Sequence, residues 1–357
     1  ERLSSSAVIA VAGALLLSSC AANEMYQPDS TSSLSGEING SGASSQGSAS
    51  DVWIAAFQTA HPAVTINYSP DGSGAGRKAF MNGGVAYAGS DSALSTSELA
   101  EDFVACQAGT GAIDLPVYIS PIAVIFNVEG VSALNLDATT LARIFTGELT
   151  QWDDPAITAL NPDAALPSAA ITAVHRSDDS GTTTNFTDYL AQVAPTVWDA
   201  PSDDTFPYSR GEAAQGTSGV VEAVTNGRNT IGYADASKAG DLGIAELEVA
   251  GEFVAPSADA AARIVDISPR IPGRSEHDLA FALDRTPDEP GIYPLVLLSY
   301  LIVCEEYDDP DTAELAKAYL TFVASAEGQQ ASAESAGSAP ISPALAEGVN
   351  AAIESIR

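Results

Sequence analysis

The sequence predicts an α/β fold with mainly parallel sheets. Short β-like runs alternate with helix-like runs along the chain, and the loops between them are rich in Gly, Ser and Thr. One β-rich stretch, 113–127, is too long for an ordinary strand, so we interpret it as crossing between two lobes, with the apolar run 294–304 as the return crossing. Because ligands bind at the carboxyl ends of strands in such folds, these loops are the candidate functional sites.

Strand–loop–helix units account for most of the remaining chain. Strands are predicted to begin at Ile38, Val64, Val85, Ile171 and Thr230. Helices are predicted at about 49–59, 77–82, 136–145, 186–190, 216–224 and 312–324, with a helix start at 95–98 and a last short helix after Pro343.

Composition indicates a folded protein with a strongly acidic surface. The 357 residues are enough for two domains, 45% of them are hydrophobic, and the net charge is −33 with lysine only at 78, 238 and 317. Such a surface repels nucleic acid and anionic lipid headgroups, so we exclude both as ligands. We interpret the acidity itself as serving solubility or adaptation to salt. Because the negative charge repels anions at long range, any anion site must act through short-range contacts.

The first residues are typical of a targeting segment. Ala7 to Leu17 is an apolar run too short to span a bilayer well, and Leu17-Ser18-Ser19-Cys20 has the pattern of a lipoprotein cleavage site. We therefore predict a signal peptide at 1–19, lipidation of Cys20 and a flexible tether at 20–35. The alternative is an ordinary buried cysteine at position 20.

Two further cysteines are left if Cys20 carries lipid. In an oxidising compartment Cys106 and Cys304 favour a disulfide, although two separate buried thiols are the alternative because sequence does not set their distance.

The turn after the strand at 171–174 predicts a site for a small anion. It carries Arg176, Ser180, Gly181 and Thr182 and leads into a helix, so backbone N–H groups, hydroxyls and a guanidinium surround one point. The Gly-rich loop at 70–76 lacks the Walker A spacing and is weak evidence alone. A lone aspartate after a strand, such as Asp91, is by default a turn or capping residue.

Taken together, these motifs resemble the phosphate-binding receptor of the bacterial Pst-type ABC importer. The resemblance spans about residues 38–304, and its motifs occur in the family's order. The matching segments are 71–76, 87–91 with 94–95, 144–147 with 152–157 and 160–162, 176–183 with 186–190, and 231–233.

The resemblance implies a two-lobed periplasmic-binding-protein fold of type II with two crossing hinge strands. Lobe I would comprise 36–121 and 293–357, and lobe II 122–292. Inorganic phosphate would be dehydrated in the cleft, with no cofactor and no metal. The protein would be a monomer, lipid-anchored at the outer face of the bacterial cytoplasmic membrane, and its partners would be ABC permease subunits.

The matching motifs also assign residues. The resemblance implies phosphate contacts for Ser73, Arg176, Ser180, Gly181 and Thr182, and a special contact for Asp91. Where the family has a Thr-Phe pair this chain has Ser44-Ser45; Ser44 replaces the Thr hydroxyl and Ser45 retains a backbone N–H. Asp178 either holds Arg176 from behind or serves as a turn residue. Asp179 replaces a family Gly and adds negative charge near the site unless it points outward.

The expected role of Asp91 is discrimination. An ionised carboxylate only accepts hydrogen bonds, so it can take the P–OH proton of phosphate, whereas sulfate has no proton at pH 7. Each bond to the charged ligand is worth about 1.5–3 kcal/mol, so a full set of donors accounts for tight binding.

Two alternatives remain from the residues. His175, Asp178 and Ser180 are the residue types of a hydrolase triad, but they lie within six residues and no G-x-S-x-G elbow or metal-ligand spacing occurs. We expect His61, His175 and His277 to be packed or surface residues. A receptor for another tetrahedral oxyanion is the second alternative.

Overall fold

One nine-stranded sheet runs through residues 33–357, the part of the chain that this computed structural model describes. The predicted signal peptide at 1–19, the predicted lipidation site Cys20 and most of the predicted tether at 20–35 lie outside the described residues. Within residues 33–357, no helix is both long and apolar enough to cross a membrane.

The strands alternate with helices along the chain, as the sequence predicts. The strands are β1 (Gly36–Gly42), β2 (Val64–Ser69), β3 (Tyr87–Ser90), β4 (Ala112–Asn127), β5 (Asn135–Leu136), β6 (Thr172–Arg176), β7 (Glu212–Ala214), β8 (Thr230–Asp235), β9 (Gly243–Ile244), β10 (Glu246–Val249), β11 (Glu252–Val254) and β12 (Val296–Cys304). The helices are α1 (Gly47–Ala60), α2 (Ser73–Met81), α3 (Ala138–Thr146), α4 (Pro155–Leu160), α5 (Gly181–Val193), α6 (Gly216–Asn226), α7 (Ala258–Ile267), α8 (Pro310–Ala324), α9 (Ala326–Ala336) and α10 (Pro343–Ser355). Single 3-10 turns occur at Glu98–Ala100 and Ala236–Lys238.

The large sheet consists of two parallel blocks joined by antiparallel strands. Its order is β2-β1-β3-β12-β4-β8-β6-β7, with β9 also paired to β4. β1 pairs in parallel with β2 and β3, and β6 pairs in parallel with β7 and β8. β12 runs antiparallel to both β3 and β4, because the chain leaves the first block along β4 and returns along β12.

β4 is the crossing strand that the sequence predicts. Residues 112–121 pair with β12 and residues 122–127 pair with β8, so one strand belongs to both blocks. Every residue of β4 except Asn127 is buried, as is every residue of β12. Strands covered on both faces have continuous apolar sequences, which explains the two long apolar runs.

Three helix predictions differ from the structure. α2 begins at Ser73 and α5 at Gly181, earlier than the predicted starts at 77 and 186, so the Gly-rich segments form the first helical turns. The predicted helix at 95–98 is only the 3-10 turn Glu98–Ala100. The sequence analysis also missed α4, α7, α9 and the small sheet β11-β10-β5. The strands of the small sheet, with two to four residues each, are too short to show a period.

The predicted cysteine pair forms a disulfide. Cys106 and Cys304 are bonded with their Cα atoms 5.4 Å apart, and both are buried. The bond joins the loop before β4 to the end of β12 and closes a sequence separation of 198 residues.

Candidate oxyanion-binding site

The N-terminus of α5 forms one wall of the candidate site. The chain leaves β6 at Arg176 and enters α5 at Gly181. Ser180 is the N-cap of α5, where its Oγ accepts a hydrogen bond from the backbone N–H of Thr183 at 3.2 Å. Ser180, Gly181 and Thr182 are buried. Unpaired N–H groups at a helix start and the helix dipole both favour an anion here.

Arg176 is held in place on this wall by Asp178. Arg176 is 3% exposed, its Nε donates to Asp178 Oδ1 at 2.7 Å, and its Nη2 donates to Asp178 Oδ2. Asp178 also accepts from the backbone N–H of Gly216, at the start of α6, at 2.9 Å. Burial raises the pKa of Asp178, but the hydrogen bonds and charge of Arg176 outweigh it and hold that pKa below its ordinary value. Of the two roles considered for Asp178, the structure thus shows the contact with Arg176 and not the role of a turn residue alone.

The start of α2 and the end of β3 form the opposite wall. Ser73 is 1% exposed, and its Oγ accepts from the backbone N–H of Asp91 at 3.1 Å. Gly181 of α5 lies directly against both residues. A Cβ at this position would stand 2.6 Å from Ser73 Oγ and 2.7 Å from Asp91 Cβ. Only glycine lets the two walls approach this closely.

The Asp91 carboxylate is buried and surrounded by hydroxyl groups. Ser45 Oγ lies 2.7 Å from both carboxylate oxygens, Ser299 Oγ donates to Oδ1 at 2.6 Å, and Thr182 Oγ1 donates to Oδ2 at 3.0 Å. Burial raises the pKa of Asp91 above its ordinary value, whereas the three hydroxyl groups and the charge of Arg176 oppose this rise.

The Ser44-Ser45 pair lies in the loop between β1 and α1. The Ser44 Oγ is 3.0 Å from Thr217 Oγ1 and accepts from the Thr217 backbone N–H at 3.0 Å, so it contacts the start of α6 and not Asp91. Ser45 was expected to contribute its backbone N–H. In the structure its hydroxyl is directed at Asp91, a contact that the phenylalanine of the family pattern lacks.

Asp179 is directed away from Arg176. Its carboxylate accepts from Lys78 Nζ at 2.7 Å and from Thr205 Oγ1 at 3.3 Å, and its side chain is 40% exposed. The hydrogen bond from Lys78, aided by its charge, lowers the pKa of Asp179. The added negative charge is therefore neutralised by a lysine of α2, across from the α5 wall.

The sequence analysis missed two polar residues that contact Asp91. Asn185 of α5 donates to the backbone carbonyl of Asp91 at 2.6 Å, and Ser299 of β12 donates to its carboxylate. Each had a weak signal in the sequence. Ser299 interrupts an apolar buried strand, and Asn185 lies one helical turn beyond Gly181 on α5.

A cavity of about 450 Å³ lies beside Asp91 and is lined in part by Arg274 and Arg285. Arg285 donates to Asn185 Oδ1 at 2.6 Å and to the Val296 carbonyl at 2.8 Å, which ties α5 to β12. Arg274 donates to Asp278 Oδ2 at 2.9 Å. Both guanidinium groups are thus occupied by protein acceptors, as the Nε and Nη2 atoms of Arg176 are by Asp178.

The residues of the hydrolase alternative do not form a triad. His175 Nδ1 lies 2.9 Å from the Arg176 carbonyl, and its ring stacks on Phe206 with 4.1 Å between ring centroids. Ser180 Oγ is used as the helix cap, and Asp178 pairs with Arg176. In residues 33–357, no group of three or more His, Cys, Asp or Glu is placed to hold a metal ion.

Comparison with known proteins identifies the family. Residues 27–327 match the model of the PBP superfamily domain. The chain is 37% identical to phosphate-binding protein PstS 3 of Mycobacterium leprae (strain TN), over 79% of this chain and 77% of that protein. The chain belongs to the PstS family of the PBP superfamily.

Other PstS relatives match at similar levels. PstS 3 of Mycobacterium tuberculosis (strain ATCC 25618 / H37Rv) is 36% identical over 90% of both chains, and PstS of Methanocaldococcus jannaschii is 33% identical over 78% of this chain and 75% of that protein.

Solved structures confirm the predicted periplasmic-binding-protein fold. A high-affinity periplasmic phosphate-binding protein, PfluDING, solved with phosphate, has a TM-score of 0.72 and 24% identity, covering 88% of this chain and 93% of that one. A putative phosphate ABC transporter substrate-binding protein from Clostridium perfringens, also with bound phosphate, has a TM-score of 0.61 and 20% identity, covering 84% and 98%.

Proposed function

We propose that the chain is an extracytoplasmic receptor that binds inorganic phosphate and delivers it to an ABC permease. The observation that carries this proposal is the meeting of two walls of opposite character. The α5 wall offers a buried guanidinium and a helix N-terminus, and the opposite wall offers the acceptor-only carboxylate of Asp91. The PstS relatives and the phosphate-bound neighbours support the same ligand.

The donors of the site match the needs of a buried oxyanion. Arg176 supplies charge, Ser73 and Ser180 supply hydroxyl groups, and the start of α5, with Gly181 and Thr182, supplies N–H groups. A dehydrated divalent anion requires a partner for nearly every lone pair, and neutral donors meet that need without attracting other anions from a distance. The net charge of −33 makes such short-range recognition necessary.

Asp91 gives the site its preference for an oxyanion that carries a proton. Hydrogen phosphate donates one P–OH, which an ionised carboxylate accepts, whereas sulfate presents only bare oxygens to the same group. This preference argues against a sulfate receptor, which would gain nothing from a buried carboxylate.

The proposed lobes are 36–121 with 293–357 and 122–292, and phosphate binds between them. Contacts between the two walls support a cleft at this position. Gly74 N–H donates to the Asp179 carbonyl at 3.0 Å, and Arg77 pairs with Asp204 at 2.8 Å. Hinge motion along the crossing strand β4 would open these contacts and release the ligand.

The remaining parts of the proposal concern location and chemistry. The protein is a monomeric binding protein and not an enzyme, with phosphate as its ligand and no cofactor. A signal peptide at 1–19 and a lipid on Cys20 would hold it at the outer face of the cytoplasmic membrane. Mass spectrometry of the purified mature protein tests this directly, because an unmodified N-terminus preceding Cys20 would contradict lipidation.

Calorimetric titration with phosphate and then with sulfate tests the function. We expect micromolar or tighter phosphate binding and little sulfate binding at pH 7.5. Asp91→Asn, which replaces the acceptor-only carboxylate with an amide of similar shape, should reduce the phosphate-to-sulfate affinity ratio by about ten- to hundredfold. Equal affinity of the unmodified protein for both anions would refute the proposal, and an unchanged ratio in the variant would remove Asp91 from the site.

A further inference from the structure

Ser299 lies next to Asp91, and among residues 33–357 its hydroxyl donates to one acceptor, the Asp91 carboxylate. Its Oγ accepts a hydrogen bond from Gln46 Nε2 at 2.6 Å, so the Ser299 proton is left for Asp91 Oδ1, also at 2.6 Å. All three side chains are buried, with Gln46 and Ser299 at 0% exposure and Asp91 at 3%. A chain of two hydrogen bonds through three side chains therefore fixes one oxygen of the Asp91 carboxylate.

The orientation of the Gln46 amide is itself fixed. Nε2 also donates to the backbone carbonyl of Tyr300 at 3.0 Å, and a carbonyl only accepts, so a flipped amide would set two oxygens against each other. In this orientation Gln46 Oε1 is buried without a hydrogen-bond partner among residues 33–357. An unsatisfied buried acceptor is unfavourable, so the arrangement costs stability and calls for a functional explanation.

We propose that Ser299 and Gln46 are positioning residues that keep Asp91 ionised and oriented as an acceptor, and so determine selectivity for a protonated oxyanion. The proposal rests on the phosphate-receptor function above and deepens it. Ser299 acts through Asp91 and needs no contact with the ligand. These two hydrogen bonds matter because a protonated Asp91 becomes a hydrogen-bond donor. The site would then also bind an oxyanion without a proton, such as sulfate.

The hydrogen bond from Ser299 opposes the effect of burial on the pKa of Asp91. Burial raises the pKa of Asp91, and the hydroxyl groups of Ser299, Ser45 and Thr182 counter this rise. The charged or titratable groups that couple to Asp91 are Arg176 on β6, Tyr68 on β2 and Tyr118 on β4.

Neither tyrosine contributes charge near neutral pH. Burial raises the pKa of Tyr68 and that of Tyr118 well above the ordinary value. Removing the Ser299 hydroxyl therefore moves the titration of Asp91 toward neutral pH without exchanging one charged neighbour for another.

Ser299→Ala is the direct test, with phosphate and sulfate affinities measured from pH 5 to pH 8.5. We expect sulfate binding to appear at a pH about one unit higher than in the unmodified protein, and the phosphate-to-sulfate ratio near neutral pH to fall about tenfold. Gln46→Met, which removes the amide and keeps the side-chain length, should shift both quantities in the same direction by less. Ser299→Thr, which restores a hydroxyl, should recover selectivity.

Ser332→Ala is the matched control. Ser332 is also buried, its hydroxyl lies 2.7 Å from that of Ser338, and it is part of α9 and not of the site. If Ser299→Ala and Gln46→Met keep the selectivity and pH profile of this control, the inference is wrong. Equal losses of phosphate and sulfate affinity without a pH shift would also overturn it, since they indicate a structural role only. Failure of the unmodified protein to bind phosphate would instead refute the proposed function.

Discussion

The two walls of the site are built in different ways from the same chain. The α5 wall comes from one continuous segment, Arg176 to Thr182, whose turn, cap and helix start are neighbours in sequence. The Asp91 wall is assembled from separate segments that contribute Ser45, Ser73 and Ser299 around the carboxylate. We therefore expect the α5 wall, a local motif, to attract an oxyanion, and the Asp91 wall, which depends on the whole sheet, to select among oxyanions.

The largest expected effect concerns the disulfide between Cys106 and Cys304, which ends on the strand that contributes Ser299 to the Asp91 wall. Replacing both Cys106 and Cys304 with Ser should lower the free energy of unfolding by about 5 kcal/mol, because the bond closes a long loop and restricts the unfolded chain. The bond ends at Cys304 on β12, the strand that carries Ser299. Denaturant unfolding with and without reductant measures the loss.

The same variant distinguishes the walls. If the Asp91 wall depends on the global fold, the variant should lose its selectivity against sulfate at a lower denaturant concentration than the one at which it loses phosphate binding. Parallel loss of selectivity and binding across the denaturant series would contradict this view of the two walls.

The next largest effect concerns the α5 wall. Arg176→Ala should weaken phosphate binding by about a hundred- to a thousandfold, because it removes the cation of the site and leaves the partly buried Asp178 without its charged partner. Titration calorimetry measures the loss. Arg143→Ala, at an arginine on α3 whose Nε lies 3.1 Å from Glu148, is the control and should bind normally. Phosphate affinity within a few-fold of normal in the Arg176 variant would show that the α5 wall does not supply the attraction.

A third prediction concerns β8, where it meets the crossing strand that joins the two walls. Asp235, at the end of β8, is buried and accepts from Tyr118 of β4 at 3.0 Å. Burial raises the pKa of Asp235 to about 6. The folded pKa is above that of the unfolded chain, so the stabilisation is present at low pH and is lost as pH rises through about 6.

Asp235→Asn removes this titration. The stability of the variant relative to the unmodified protein should therefore increase by about 1–2 kcal/mol from pH 5 to pH 8, because part of the effect of the raised pKa is already present at pH 5. Thermal or urea unfolding at both pH values measures the difference. The exposed Asp51→Asn serves as the control for the change in net charge. A pH-independent difference between the Asp235 variant and the unmodified protein would contradict the prediction.

The smallest expected effect concerns an exposed contact between the walls. Lys78 and Asp179 form a surface ion pair with side chains 68% and 40% exposed, so Lys78→Ala should weaken phosphate binding by no more than about fivefold. The effect should vanish at high ionic strength, because salt screens exposed charges. Lys317→Ala, at a partly buried lysine on α8 whose Nζ donates to the Glu354 carbonyl at 2.6 Å, is the control. A loss of hundredfold or more would mean that this pair contributes to the site itself.

Much of the fold and half of the site were accessible from sequence. Alternating strands and helices, the long crossing strand at 113–127 and the turn from Arg176 to Thr182 all leave local patterns, since periodicity and capping act over a few residues. The cysteine pair was foreseen from its compartment, but only as one of two alternatives. Short elements such as α4 and β5 left no usable pattern.

The amino-acid sequence by itself determined the α5 wall, because its cap, its guanidinium and its carboxylate partner lie within a few residues of one another. Only the tertiary structure decided how Asp91 is held. Ser45, Ser299 and Gln46 reach it from distant segments, and Asp179 is directed at Lys78. Such contacts depend on strand order and register, which are set by packing across the whole sheet and leave no trace in the neighbouring residues.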